Sequence, residues 1–251
     1  MKFTAEGQSI NFFDFDHSMH DKIMLSLSGG TDSALLLYMI CKYLPEKQII
    51  CVTGIDLWKD PFVGDYAAEI IEWTKKQFDS QIIHETYTYH RKDPGYIEQA
   101  EKEISEAKDK TIFSSVLGHA KQIAGRPHLK RIRTKHDVKL SIDGQSSNPP
   151  LEVQKKLGFE HVSEIRRNKK YDVVRHHNGN IHHKPLVNVD KKFIAGMYKQ
   201  FNLLDSLFPI TMSCIGDGED SKWYTEPCGK CYWCYEKKWA FGCYDRATPT
   251  I

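Results

Sequence analysis

Lys22-Ile23-Met24-Leu25-Ser26-Leu27-Ser28-Gly29-Gly30-Thr31-Asp32-Ser33-Ala34-Leu35-Leu36-Leu37 is the stretch that decides the fold. Lys22 to Leu27 is an apolar run of strand length. Thr31 to Tyr43 has the apolar content of a packed helix, and Ser28 to Ser33 joins the two. Adjacent glycines let a backbone approach an anion closely and adopt dihedrals closed to other residues. The helix that follows points its unpaired amides and the positive end of its dipole back at the loop, which favours a phosphate. Ser28, Thr31 and Ser33 can donate hydroxyl hydrogen bonds to phosphate oxygens. Asp32 would repel a bare phosphate, so it reads as a Mg²⁺ ligand. The segment lacks the Gly-Lys-Ser/Thr ending of a Walker loop. A capped helix entry after a strand is the ordinary alternative. The apolar flanks place the loop where pyrophosphate binding needs it.

Working outward, the chain alternates between strand and helix. Gln48 to Thr53 is an apolar run of strand length, and Gly64 to Phe78 suits an amphipathic helix. Gln81 to Tyr89 predicts a third strand, two helices fill Tyr96 to Ala124 with a break near Lys110, and Asp137 to Ile142 predicts a fourth strand. This alternation predicts an α/β fold, a parallel sheet with helices on both faces. Ligands of such sheets bind beyond the carboxyl ends of the strands. Further on, Asn148-Pro149-Pro150 marks a loop, and Tyr171 to Arg175 and Ile181 to Lys184 flank a hairpin turn at Asn178-Gly179-Asn180. Asp190 caps a helix that reaches Phe201. From Thr211 onward the chain is rich in Cys, Gly and aromatics. The expected organisation is a nucleotide-binding domain over residues 1–207 and a small metal-stapled element over 208–251 packed on it.

Composition narrows the function classes. With 251 residues, 40% of them hydrophobic and 27% charged, the chain has the make-up of an ordinary soluble protein with one sizeable core. A formal net charge of +2 argues against nucleic acid as the main partner. The apolar stretch from Ala34 to Ile40 is far too short to span a bilayer, which argues against a membrane partner. Met1 to Glu6 has no basic-then-apolar signal pattern, so a cytoplasmic location is expected. Thiols there are reduced, and clustered cysteines read as metal ligands. Nothing in the composition fixes the oligomeric state, and a homodimer is compatible with it.

Cys228-Gly229-Lys230-Cys231-Tyr232-Trp233-Cys234 sets thiols at consecutive CxxC spacings, with Cys214 upstream. Four thiolates complete a closed tetrahedral Zn²⁺ site with no open position for catalysis. A redox CxxC pair and an iron–sulfur cluster are the rival readings. Cys243 competes with Cys214 for the fourth ligand position, while Cys41 and Cys51 fall in apolar runs and read as core.

The hexapeptide Ser28 to Ser33 resembles the loop of the PP-loop ATP pyrophosphatases. The resemblance implies a Rossmann-like sheet of the adenine nucleotide alpha-hydrolase type and cleavage of ATP between its α- and β-phosphates. Together with Ser213-Cys214, Cys228 to Cys234 and Pro185-Leu186 followed by Lys191, it makes the chain similar to the 7-cyano-7-deazaguanine synthases of queuosine biosynthesis. That likeness implies a ligase that uses ATP, Mg²⁺ and Zn²⁺. It would adenylate 7-carboxy-7-deazaguanine or a related deazapurine acid and pass the acyl group to ammonia or an amine, releasing AMP and pyrophosphate. It implies Ser28, Gly29, Gly30, Thr31, Asp32 and Ser33 around the nucleotide, Asp32 and Lys191 in catalysis, and Cys214, Cys228, Cys231 and Cys234 around zinc. The chain departs from the family at Thr53 to Trp58, at Ser141 to Pro150, and in the longer separation of Cys214 from Cys228. By that resemblance, the segment Ser141 to Pro150 would lie near the acyl substrate. The alternatives are a sulfur-transfer or sulfonucleotide-reducing enzyme, with Cys243 as the spare thiol, and a non-catalytic nucleotide-binding module.

Other residues carry weaker signals. His176, His177, His182 and His183 flank the hairpin turn, but neighbours on a strand point to opposite faces, so the four cannot converge, although a pair across the turn can. Lys184 is a second candidate cation near the phosphates. Asp143 falls at the carboxyl end of the fourth predicted strand. The basic run from Arg126 to Lys139 reads as a solvated face.

Overall fold

The computed structural model describes residues 1–107, 115–158, 171–176, 178–216 and 226–247. Its centre is a sheet of β3 (Lys22–Ser26), β4 (Gln48–Asp56), β5 (Ile82–Tyr89), β6 (Leu140–Ile142), β7 (Val173–Arg175) and β8 (Ile181–His183). The spatial order is β5-β4-β3-β6-β8-β7, with every pairing parallel except β7 on β8. This is the expected Rossmann-like α/β sheet. Residues 23–25 of β3 are buried on both faces, which is why that strand reads as a continuous apolar run and not as an alternation.

Helices cover both faces. On one lie α1 (Thr31–Tyr43), α2 (Val63–Gln77), α6 (Lys191–Gln200) and α7 (Tyr232–Phe241). Their apolar residues join Ile23 and Leu25 in the main core. Leu35, Leu36 and Leu37 are all fully buried, because α1 is enclosed by the sheet, α2 and α6. On the other face, Ile132 of α4 (Val116–His136) packs on Met24, Ile50 and Val52. The helix α3 (Pro94–Glu106) lies against α4. A one-and-a-half-turn α5 (Leu151–Lys156) follows the Pro149-Pro150 loop.

Two local outcomes differ from the sequence expectation. The helix expected to end at Ala124 continues to His136, straight through Pro127, and carries most of the basic run on its exposed side. The proline stands at the twelfth of its 21 positions, and tertiary packing of Leu129 and Ile132 holds the helix on the sheet beyond it. The break expected near Lys110 lies outside the described residues. The structure also begins with a hairpin that the sequence reading did not foresee, β1 (Lys2–Ala5) paired with β2 (Gln8–Asn11). Its turn residues Glu6 and Gly7 both have positive φ, 49° and 69°, as a type I′ turn requires. Ala5 abuts Gly196 of α6 so closely that a Cβ there would come within 2.8 Å.

The connection from β3 leads to β4 on one side, while β6 lies on the other. The carboxyl ends of β3 and β6 therefore bound a topological switch point, the crevice where sheets of this kind bind ligands. Among the described residues no helix is long and apolar enough to cross a membrane.

Candidate nucleotide and metal site

The glycine loop emerges from β3 into that crevice. Gly29 has φ +75°, and a Cβ there would meet Tyr66 Cβ at 2.9 Å, so both conformation and space demand glycine. The loop is braced from within. Ser33 Oγ accepts from the Ser28 amide at 3.2 Å and donates to the Gly30 carbonyl at 3.2 Å. Thr31 is fully buried, and its hydroxyl accepts from Lys237 Nζ at 3.3 Å. Ser28 is the exposed hydroxyl of the three.

Asp32 stands at the first turn of α1 with its carboxylate in the crevice. Lys191, the first residue of α6, reaches it from the side, with Nζ 2.6 Å from Oδ1 and 2.7 Å from Oδ2. Sequence reasoning named both residues, and the fold brings them together across 159 positions. Ser146 Oγ donates to Asp32 Oδ2 at 3.0 Å, and Glu236 Oε2 lies 3.6 Å from Lys191 Nζ. Gly144, after β6, seals the junction: a Cβ there would sit 2.9 Å from the Ser33 amide nitrogen.

Beside the loop, over β3, β4 and β5, lies a cavity of about 220 Å³. Ser28 forms one wall, Tyr87 and Tyr89 another, and Asp56, Asp60 and Lys121 supply polar groups. Tyr87 stacks on His128 with ring centroids 4.7 Å apart, and a Cβ at Gly54 would meet its hydroxyl at 2.6 Å. Asp56 pairs with Arg91. Burial pushes the Asp60 carboxyl up to about 6, against the opposing pull of Lys121. On the other side of the loop, His182 Nε2 lies 2.9 Å from Asp143 Oδ2, and Lys184 Nζ 3.7 Å from the same oxygen. Burial opposes charge on Asp143, but the His182 hydrogen bond and the Lys184 charge outweigh it and hold the carboxyl below its ordinary value.

The hairpin histidines separate as alternation requires. His183 is fully buried among Phe12, Phe13 and Phe15, His182 faces the opposite side with Asp143, and His176 is exposed. His177 lies outside the described residues.

The sulfur atoms of Cys214, Cys228, Cys231 and Cys234 all lie within 4.8 Å of one another. Cys228–Cys234 and Cys214–Cys231 are each 3.9 Å apart. A tetrahedron with Zn–S bonds of about 2.3 Å has edges of roughly 3.8 Å, so the donor set fits a single Zn²⁺. Hydrogen bonding with Cys214 and Cys234 holds the Cys231 thiol below its ordinary value. Cys243 stands apart, directed at the Ala247 carbonyl at 3.8 Å. Burial raises its thiol, lifts Cys41 to about 11, and drives Cys51 higher still.

Glu236, Lys237 and Asp245 escaped the sequence reading. They follow the last cysteines at no spacing that any motif prescribes, and a charged residue in that position reads as solvated. Ser146 and the cavity residues Tyr87 and Asp60 were equally silent.

No protein-family model matches the chain, and no curated protein matches it in sequence. Among solved structures, the chain is similar to a tRNA thiolase from Methanococcus maripaludis with its 4Fe–4S cluster, at 17% identity and a TM-score of 0.40 over 72% of this chain and 56% of that one. It is similar to NMN synthetase from Francisella tularensis, at 14% identity and a TM-score of 0.45 over 92% of this chain and 81% of that one. It is also similar to NH3-dependent NAD synthetase from Campylobacter jejuni, at 14% identity and a TM-score of 0.41 over 76% and 68%. The chain thus spans little more than half the length of the thiolase.

Proposed function

We propose that this protein is an ATP-dependent ligase of the PP-loop kind, which splits ATP between its α- and β-phosphates to activate a carboxylate. The observation that carries the reading is the Asp32–Lys191 pair in the switch-point crevice beside the glycine loop. Such a pair presents an anion and a cation side by side, and so matches Mg²⁺ and a phosphate oxygen without changing the net charge of the site. Asp32 would hold Mg²⁺, which usually takes one or two carboxylates together with phosphates and water. The ion would supply charge neutralisation at the departing pyrophosphate. Lys191 would turn to phosphate oxygens, and Glu236 beside it would keep the ammonium in place when Asp32 is engaged.

The cavity lined by Tyr87, Tyr89 and Asp60 would take the adenosine, because it shares Ser28 with the loop. The acid and the amine would meet the α-phosphate from the side of Asp143, His182 and Lys184. The acid we favour is a deazapurine carboxylate such as 7-carboxy-7-deazaguanine, with ammonia or an amine as acceptor. The four-cysteine cluster would hold structural Zn²⁺. We assign the reaction to the cytoplasm.

Sulfur transfer is the second reading, and it needs a reactive thiolate outside the metal cluster. Burial raises Cys41, Cys51 and Cys243 alike, which disfavours it. Incubation with ATP, Mg²⁺, ammonium and 7-carboxy-7-deazaguanine should yield an amide or nitrile by mass spectrometry, with AMP. AMP formation with other acids but not this one would move the substrate assignment; no AMP with any acid would remove the ligase reading.

A further inference from the structure

A buried ion pair joins the glycine loop to the cysteine cluster. The side chains of Lys237 and Asp245 are both fully buried, with Nζ 2.7 Å from Oδ1. Lys237 Nζ donates to the Thr31 hydroxyl at 3.3 Å. The other carboxylate oxygen of Asp245 accepts the amides of Ser213 at 2.8 Å and of Cys214 at 3.0 Å. One residue earlier, the Met212 amide donates to the Gly29 carbonyl at 2.8 Å.

The same helix carries both functions. Cys231 is the N-cap of α7 and Cys234 lies in its first turn; two and three positions further on come Glu236, which meets Lys191, and Lys237, which meets Thr31. Cys214 arrives on the separate segment that Asp245 grips. Bringing Cys214, Cys231 and Cys234 to one ion therefore fixes Asp245 relative to Lys237, and through them Thr31 and the glycine loop. A packed apolar pair of equal volume would hold two segments together at least as well, so a buried charge pair aimed at a loop hydroxyl calls for another explanation.

We propose that Lys237 and Asp245 are positioning residues that make the phosphate-holding shape of the glycine loop depend on metal loading of the cysteine cluster. This rests on the reading of the loop as a pyrophosphate site. Neither side chain reaches the ligand; they act by holding Thr31 and the Met212 to Cys214 segment.

The test is calorimetric binding of inorganic pyrophosphate with Mg²⁺, alongside zinc content by elemental analysis. The double variant Lys237→Met/Asp245→Asn removes both charges together. It should keep its zinc yet bind pyrophosphate roughly tenfold or more weakly, the weight of a lost charged hydrogen bond. Thr31→Val is nearly isosteric and covers the case in which the double variant does not fold. It should also keep zinc and lose affinity, and Thr31→Ser should restore it. Wild-type protein stripped of zinc by a chelator should lose affinity likewise and regain it on zinc return. Wild-type affinity in zinc-loaded Thr31→Val, or in a folded double variant, overturns the coupling and leaves the loop reading standing. Wild-type protein that binds no pyrophosphate overturns both.

Discussion

In the proposed reaction the side chain of Asp32 is the centre of the chemistry, and its neighbours define what removing it should do. Asp32→Asn keeps the shape and still accepts from Lys191 and Ser146, but loses the charge that holds a divalent cation. AMP formation should fall by about 10²–10³-fold, the usual effect of losing a preorganised electrostatic group, while zinc content is unchanged. Steady-state assay of AMP with parallel metal analysis checks it, and a loss below threefold would count against the assignment. Cys243→Ser makes the complementary test. Its thiol lies outside the sulfur cluster and burial disfavours its thiolate, so turnover and zinc should both match wild type. Abolished turnover with zinc retained would favour sulfur transfer. At this scale the sequence was informative where a residue type has one chemical use. Cysteine spacing, paired glycines and an acidic residue at a helix start each restrict the choices. Ser146, Glu236 and Lys237 were illegible, because the same residues serve as ordinary surface groups unless the fold buries them beside the loop.

Among the elements, β8 carries a titration that should be visible in stability. Burial drives the His183 imidazole from its ordinary 6.5 down to about 4, against the favourable carbonyl of Asp172. The unfolded chain binds a proton below pH 6.5 that the folded chain refuses until about pH 4. The contribution is complete above 6.5 and is lost as the pH falls through that window, to a total of about 3 kcal/mol. His183→Gln will cost stability at neutral pH, since it gives up contacts with Phe12, Phe13 and Phe15. The diagnostic is the slope: between pH 4 and 6.5, denaturant-derived stability should depend on pH by nearly one proton less than in wild type. An unchanged slope would place the titration elsewhere. The legibility of the elements follows their burial. β3, α1, β4 and α2 announce themselves because each is apolar on a complete face. The first hairpin is four residues a side and mostly exposed, so its pattern is too short to read. The extension of α4 past Pro127 is set by packing on the sheet, which no local propensity records.

On the scale of the whole molecule, the strand order does the positioning. Parallel strands β3 and β6 diverge in connection at the switch point, and four distant segments converge there: the loop with Asp32, the Gly144–Ser146 turn, the start of α6 with Lys191, and α7 with Glu236. The α/β class was legible from alternation alone. The convergence was not, because it depends on which strands are neighbours, and sequence order gives β6 no preference for the side of β3 it takes. The C-terminal element is also more than an appendage, since Ala240 and Phe241 of α7 sit in the main core with Phe208 and Tyr198. The most direct test of the central claim is the position at which ATP is cut. Protein supplied with Mg²⁺, ATP, radiolabelled pyrophosphate and a panel of deazapurine and other carboxylic acids should move label into ATP only when an accepted acid is present. The acid should also be needed for AMP to appear. Release of ADP and orthophosphate, or binding of ATP with no exchange whatever acid is added, would contradict it.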